Sequence, residues 1–293
     1  MKDYCLRATA GDGQIRAFVA TSKFLVDKAA QIHKTNPVAS AALGRTLTAA
    51  AIMGLMLGHD DHSLTLNIRG DGPLGGVLAV TDGLGRVRGY VRNPLADVPN
   101  RADGKLNVGG AVGNGQLTVA KDLGLKEPYV GTTPLVSGEI AEDIASYFMA
   151  SEQTPSIISL GVMVDVDLSI KAAGGFFVQL LPGASDEIID RLEAHIQGFP
   201  QISRLLDEEK TPEDVLDMLL SPFGYEITER HPIGFVCTCS KERMERGLIS
   251  LGAVEIKSIL EEQGKAEISC HFCSKTYQFN GEDLAQMLQA LSV

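Results

Sequence analysis

Polar and apolar positions along the chain alternate with a period of two over much of its first part, then change to a helical period. HSLTLNIRG, GGVLAVTD, RVRGYVRNP, GQLTVAKD, VMVDVDLSI and GGFFVQLLP, all between residues 62 and 182, read as strands, because side chains at i and i+2 share a face of a pleated strand. DG at 71 and 82 and NG at 114 punctuate these runs as turns. Two helices are predicted among them. One is the alanine-rich segment 38–57 behind Pro37; the other is SGEIAEDIASYFMASEQ, where Ile140, Ile144, Tyr147 and Phe148 fall on one face. Together they predict an α+β domain over residues 1–178, with a mixed, substantially antiparallel sheet and helices.

After LPGA at 181–184 the texture changes, and the run from ASDEIID to EITER, residues 184–230, reads as short helices broken at Gly198, Pro200 and Pro222. Ser185 or Asp186 supplies a start signal, and Thr211, Pro212 and Asp214 form a capping arrangement. Residues 179–230 carry 12 acidic and 4 basic side chains, so most of the net charge of −11 sits here. Such short, self-repelling helices depend on docking an apolar stripe, here Ile188, Ile189, Leu192, Ile196, Leu205, Leu206, Val215, Leu216 and Leu219. Two readings stay open: an ordinary helical connector, or a linker close to its balance of order and disorder.

At 293 residues and 44% hydrophobic, the chain is long enough for a full core and more than one domain. The opening MKDYCLRATAGDG has no basic n-region followed by an apolar stretch, so a cytoplasmic protein is expected. Arg45, two glycines and several hydroxyl residues interrupt the most hydrophobic stretch, 38–57, which predicts a buried helix and no membrane span.

Cysteine usage changes the picture most. Cys5 stands alone and reads as a small core residue; Cys237, Cys239, Cys270 and Cys273 all fall in the last 57 residues. A reducing compartment argues against structural disulfides. In an extended C-x-C, both side chains turn to the same side, and SCHFCSK has the spacing of a metal-binding turn. Four sulfurs brought together predict one tetrahedral structural zinc site per chain. His231 and His271 lie close by in sequence, but four thiolates leave them no vacancy. A closed site has no open position for catalysis. Residues 231–293 carry six Lys/Arg against eight Asp/Glu, a poor surface for phosphates, so nucleic acid is not an expected partner. The expected organisation is therefore an α+β core (1–178), an acidic helical linker (179–230) and a small zinc-binding domain (231–293).

Other apparent motifs carry less. GDGPLG at 70–75 lies between two strands, not before a helix, and reads as a hairpin turn. His59, Asp60, Asp61 and His62 read as a solvated connector between a helix and a strand.

NPVASAALGRTLTAAAIMG, LNIRGDGPLGG, VRGYVRNP, LVSGEIAEDIASYFMASEQTPSIISLGV and HPIGFVCTCSKERMERGLISLG, with the four cysteines, resemble segments of the 33 kDa chaperonin family, the holdase heat shock protein thirty-three. The likeness covers essentially the whole chain. It implies an ATP-independent chaperone, not an enzyme, that is inactive when reduced and zinc-bound. Oxidation would then release zinc, join Cys237 to Cys239 and Cys270 to Cys273, and unfold the linker, giving an active form that dimerises and holds unfolding clients. An extended C-x-C sets its Cα atoms about 6.5 Å apart, near the upper limit for a disulfide, so that bond requires the strand to bend. Two alternatives are a thiol–disulfide oxidoreductase using Cys270 and Cys273, and a zinc-ribbon adaptor without redox control.

Overall fold

The computed structural model describes residues 2–291. By internal contacts the chain divides into two units, Met1–Val236 and Cys237–Val293. The first contains β1 (Tyr4–Ala10), β2 (Ile15–Thr21), α1 (Lys23–His33), α2 (Pro37–Leu55), β3 (Ser63–Gly70), β4 (Val77–Asp82), β5 (Arg86–Val91), α3 (Val108–Val112), β6 (Gly115–Asp122) and β7 (Tyr129–Pro134). It continues with α4 (Ala141–Glu152), β8 (Ser156–Val164), β9 (Ile170–Leu180), α5 (Asp186–Ile196), α6 (Ile202–Asp207), α7 (Pro212–Leu220), β10 (Tyr225–Pro232) and β11 (Gly234–Phe235). The second contains α8 (Lys241–Ile249), α9 (Ala253–Gln263), β12 (Ala266–Ser269), β13 (Thr276–Phe279) and α10 (Gly281–Leu291).

Two sheets organise the first unit, ordered β10-β1-β2-β9-β8 and β11-β5-β4-β3-β6-β7. Every pairing is antiparallel except the two-residue pairing of β11 with β5. The α+β expectation holds. Helix α2 touches strands of both sheets, and although its length and composition would suit a bilayer, 94% of its most apolar window is buried inside the protein. Arg45, the charge that interrupts it, donates from Nη1 to Glu139 Oε2 at 2.6 Å. The second predicted helix begins later than its apolar face suggested. The Asp143 carboxylate accepts the backbone N–H groups of Val136, Ser137, Gly138 and Ile140, which holds those residues as a loop, and α4 starts at Ala141.

The structure corrects the sequence reading in three places. Strands β1, β2 and β7 were not anticipated. VMVDVDLSI is not one strand, because Leu168 at φ 69° turns the chain between β8 and β9. Residues 225–230, expected to be helical, lie in β10: Gly224 at φ 61° ends the helical path, and YEIT, with two β-branched residues, pairs with β1.

Helices α5, α6 and α7 pack on one face of the first sheet. Ser185 caps α5, and Thr211 and Asp214 cap α7 reciprocally, as the sequence predicted. All of the predicted stripe except Ile189 joins one apolar cluster with Leu6, Ala8, Ala10, Ile15, Ala17, Val19, Phe176 and Val178 from the sheet. At 11, 6 and 9 residues, these helices are too short to persist alone, so the docking supplies their stability.

The seat of α6 is made by missing side chains. A Cβ on Gly161 of β8 would lie 2.7 Å from Ser203 Cβ and 2.9 Å from Ser203 N, and one on Gly174 of β9 would lie 2.4 Å from Leu206 Cδ1. Gly161→Ala should therefore lift α6 while leaving the sheet paired. Overpacking of this kind costs about 1–3 kcal/mol, so amide exchange over residues 201–208 should rise roughly 10-fold or more. Unchanged exchange there would mean that α6 is not seated on Gly161.

Candidate metal centre

The second unit has little apolar mass of its own. Leu248, Ile256, Ala266, Tyr277, Phe279, Leu284 and Met287 form its buried cluster, a small core for a stretch that must order three helices and a hairpin. The four cysteines gather at one end of that hairpin. Cys270 follows β12 directly, and its amide donates to the Lys275 carbonyl at 3.0 Å, while the Ser274 amide donates back to the Cys270 carbonyl at 2.8 Å. Ser274 adopts φ 57°, closing the turn that carries Cys273.

Cys237 and Cys239 lie in a segment between β11 and α8 that pairs with no other strand. The Cys239 amide faces the Cys237 sulfur. Ser240 then caps α8 by accepting from the Arg243 amide at 3.3 Å, which fixes where the segment ends.

All four Sγ atoms lie within 4.8 Å of one another, and all four thiols are free. Two close pairs run across the two arms, Cys237 with Cys270 at 3.7 Å and Cys239 with Cys273 at 3.4 Å. A tetrahedron with metal–sulfur arms of about 2.3 Å has edges of about 3.8 Å, so the four residues fit one metal ion. Among the described residues this is the one group of potential ligand atoms that converges so closely, and it includes no histidine. His231 lies in β10, with Nε2 2.7 Å from Glu229 Oε2. The GHDDH residues stay in the connector between α2 and β3, where the His59 and His62 rings pack 4.7 Å apart.

Tyr277 is the residue that sequence reasoning missed. Its hydroxyl donates to Cys239 Sγ at 3.1 Å, a contact that orients a ligand atom from outside the ligand set. Its position two residues into a strand after a C-x-x-C turn was the available signal. Burial pushes Cys239 upward, but the hydrogen bonds from Tyr277 and the neighbouring thiols prevail and carry it down to about 7. Burial pushes Cys237 up to about 12 against the opposing Cys239 amide, and it raises Cys273 as well. Of these three, Cys239 is the sulfur most readily held as a thiolate. Cys5, far from this cluster in sequence, is buried at 1% exposure, as expected of a core residue.

The fold and the cluster define an α+β protein carrying a separate four-thiol module fit for a metal ion. The chain belongs to the Hsp33 protein family, whose model matches residues 3–280. The 33 kDa chaperonin of Clostridioides difficile (strain 630) is 49% identical to it over 292 residues, covering 99% of this chain and 100% of the relative. The 33 kDa chaperonin of Desulforamulus reducens is 48% identical, with 99% of both chains covered. The crystal structure of the 33 kDa chaperonin of Thermotoga maritima superposes with a TM-score of 0.92 at 37% identity, covering 99% of each chain.

Proposed function

We propose that the chain is a redox-regulated, ATP-independent holdase, inactive with its thiols reduced and zinc bound, and active once oxidation joins Cys237 to Cys239 and Cys270 to Cys273. The observation that carries this reading is the convergence of four free sulfurs in a unit with a small apolar core. Zinc bound there would tie residues 237–240 to the 270–275 turn, and structural zinc contributes about 10–16 kcal/mol of apparent folding free energy in small modules. In the reducing cytoplasm, the expected compartment, the thiols keep that form until an oxidant arrives.

Oxidation removes the ligand set. As each S–S bond forms, a dithiol gives up two electrons and two protons, and one peroxide accepts them to become two waters. A disulfide sulfur no longer offers the thiolate that zinc requires. Sulfurs around one metal ion stand about 3.8 Å apart and those of a disulfide about 2.05 Å, so forming the bonds requires both segments to rearrange. The reduced and oxidised geometries exclude one another, as a switch demands.

The linker, residues 179–230, converts that local event into activity. Its helices cover the sheet face formed by Leu6, Ala8, Ala10, Ile15, Ala17, Val19, Phe176 and Val178. When they leave, this apolar face becomes available to unfolding clients and to a second copy of the chain, and the active form is a homodimer. Catalysis by Cys270 and Cys273 is disfavoured because the pair sits in a hairpin turn and burial raises Cys273, whereas catalytic thiols sit where their pKa is depressed.

Light scattering from a heat-aggregating client tests the reading. The oxidised protein should suppress aggregation near stoichiometric amounts, and the reduced, zinc-loaded protein should not. Equal suppression by both forms would remove the redox switch. Loss of binding on oxidation would favour a zinc-ribbon adaptor, and turnover of a small disulfide substrate an oxidoreductase.

A further inference from the structure

Strand β10 closes one edge of the first sheet while burying little beyond Tyr225, which packs against the sheet's apolar cluster. Its eight residues are half-buried or exposed throughout, and Ile227 is 40% exposed. The strand beneath it is the opposite, because Cys5, Leu6, Ala8 and Ala10 of β1 are all buried. What holds β10 is chiefly its backbone ladder to β1, which runs from Tyr4 opposite Pro232 to Ala10 opposite Tyr225, with a bulge at Thr228 where the register shifts. The side-chain ties are peripheral: Arg7 to Glu229 at 2.6 Å and Arg230 to Glu213 at 2.8 Å, both between partly or fully exposed groups, and Arg230 over the Tyr4 ring at 4.0 Å. Exposed pairs of this kind contribute little. Strands so poorly anchored belong to the low-stability end of a protein.

The ends of β10 matter as much as its middle. Upstream, it follows α7, one of the helices docked on the sheet; downstream, four residues separate Pro232 from Cys237. The upstream anchor is an element that the proposed switch loosens; downstream, Ile233 and Phe235 are buried and β11 pairs with β5, so a released β10 stays tethered at that end.

The geometry points to β10 as a displaceable strand, whose release opens the edge of β1 to an extended segment of an unfolding polypeptide. This inference rests on the holdase reading and names where and how a client is gripped. The present occupant shows what the edge accepts. It takes an antiparallel strand through main-chain hydrogen bonds while leaving that strand's side chains largely in solvent, so it selects extended backbone over sequence. Strand addition at an open edge is a general mode of peptide capture, and tolerance of sequence suits a partner defined by being unfolded.

Cys5 reports on this directly, since its cross-strand neighbours are His231 on β10 and Ala20 on β2. In the reduced, zinc-loaded protein, Cys5 should resist alkylation and the β1 amides should resist exchange. After oxidation, N-ethylmaleimide should modify Cys5 roughly 100-fold faster, as thiol reactivity follows exposure, and β1 amides should exchange. A thermally unfolding client, or a synthetic peptide of residues 225–233, should restore both protections. The same peptide N-methylated at alternate residues, which cannot complete the ladder, should not. Equal protection by both peptides, or by neither, overturns the inference. An oxidised protein that suppresses aggregation while β1 stays closed overturns it too and leaves the holdase reading standing. One that opens β1 yet holds no client overturns both.

Discussion

Replacing Leu205 and Leu216 together with alanine should make the reduced, zinc-loaded protein suppress client aggregation without any oxidant. Both side chains belong to the cluster beneath the linker helices, Leu205 at 4% exposure and Leu216 at 0%. Leu205 lies on α6, which contacts β8 and β9, and Leu216 on α7, which contacts β1 and β2, so the pair loosens both ends of the covered face. Truncating a buried leucine costs about 2–5 kcal/mol. If the two add, the docking equilibrium moves by roughly a factor of 1,000 or more. The oxidant's role in the proposed mechanism is only to remove the metal's support, so undocking by mutation should bypass it. Client light scattering, with zinc content measured on the same sample, decides the matter. A double variant that exchanges amides freely over 179–230, keeps its zinc and gains no activity would place the client site elsewhere.

Serine at Cys270 should abolish stoichiometric zinc binding and unfold the C-terminal unit. Cys270 is the most buried of the four sulfurs at 5% exposure, and a hydroxyl in its place offers no thiolate. Removing one ligand from a site that contributes about 10–16 kcal/mol leaves the small cluster around Ile256, Phe279 and Leu284 to order the unit alone. Metal analysis should fall from one zinc per chain to near zero in the presence of a competing chelator. Exchange should rise across 237–291 and then across 179–230, with most of 1–178 still protected. Warm peroxide treatment of the unmodified protein should give the same order of opening. Full zinc affinity in the Cys270→Ser protein would refute the ligand assignment, and earlier opening of the N-terminal domain would refute the proposed order of events.

The metal site was legible in sequence because its signal is chemical and local: four thiols in two short spacings at one end of a chain with a single other cysteine. The turn at Cys270 and Cys273 follows from the spacing alone. The path through Cys237 and Cys239 does not, since a C-x-C offers the same two sulfurs whether or not its backbone is paired in a sheet. Tyr277 was invisible because its hydroxyl meets Cys239 across 38 positions of sequence.

The linker helices show where local information suffices. Ser185, Thr211 and Asp214 act on amides within three residues, and capping energies are paid out locally, so the starts of α5 and α7 could be read directly. Strand β10 shows where it fails. Tyr225–Pro232 follows a helical stretch and has no buried face of its own, and its conformation comes from the hydrogen bonds that β1 offers more than 200 positions away.

The sequence by itself determined the α+β class, the apolar stripe of the linker and the four sulfurs, because periodicity, capping and ligand chemistry are properties of neighbouring residues. Only the tertiary structure decided which sheet face the stripe covers, which glycines admit α6, and that β1 is shielded by a strand with little buried surface. Those facts depend on which distant segments compete for the same backbone edges and the same apolar area, and no local pattern encodes that competition.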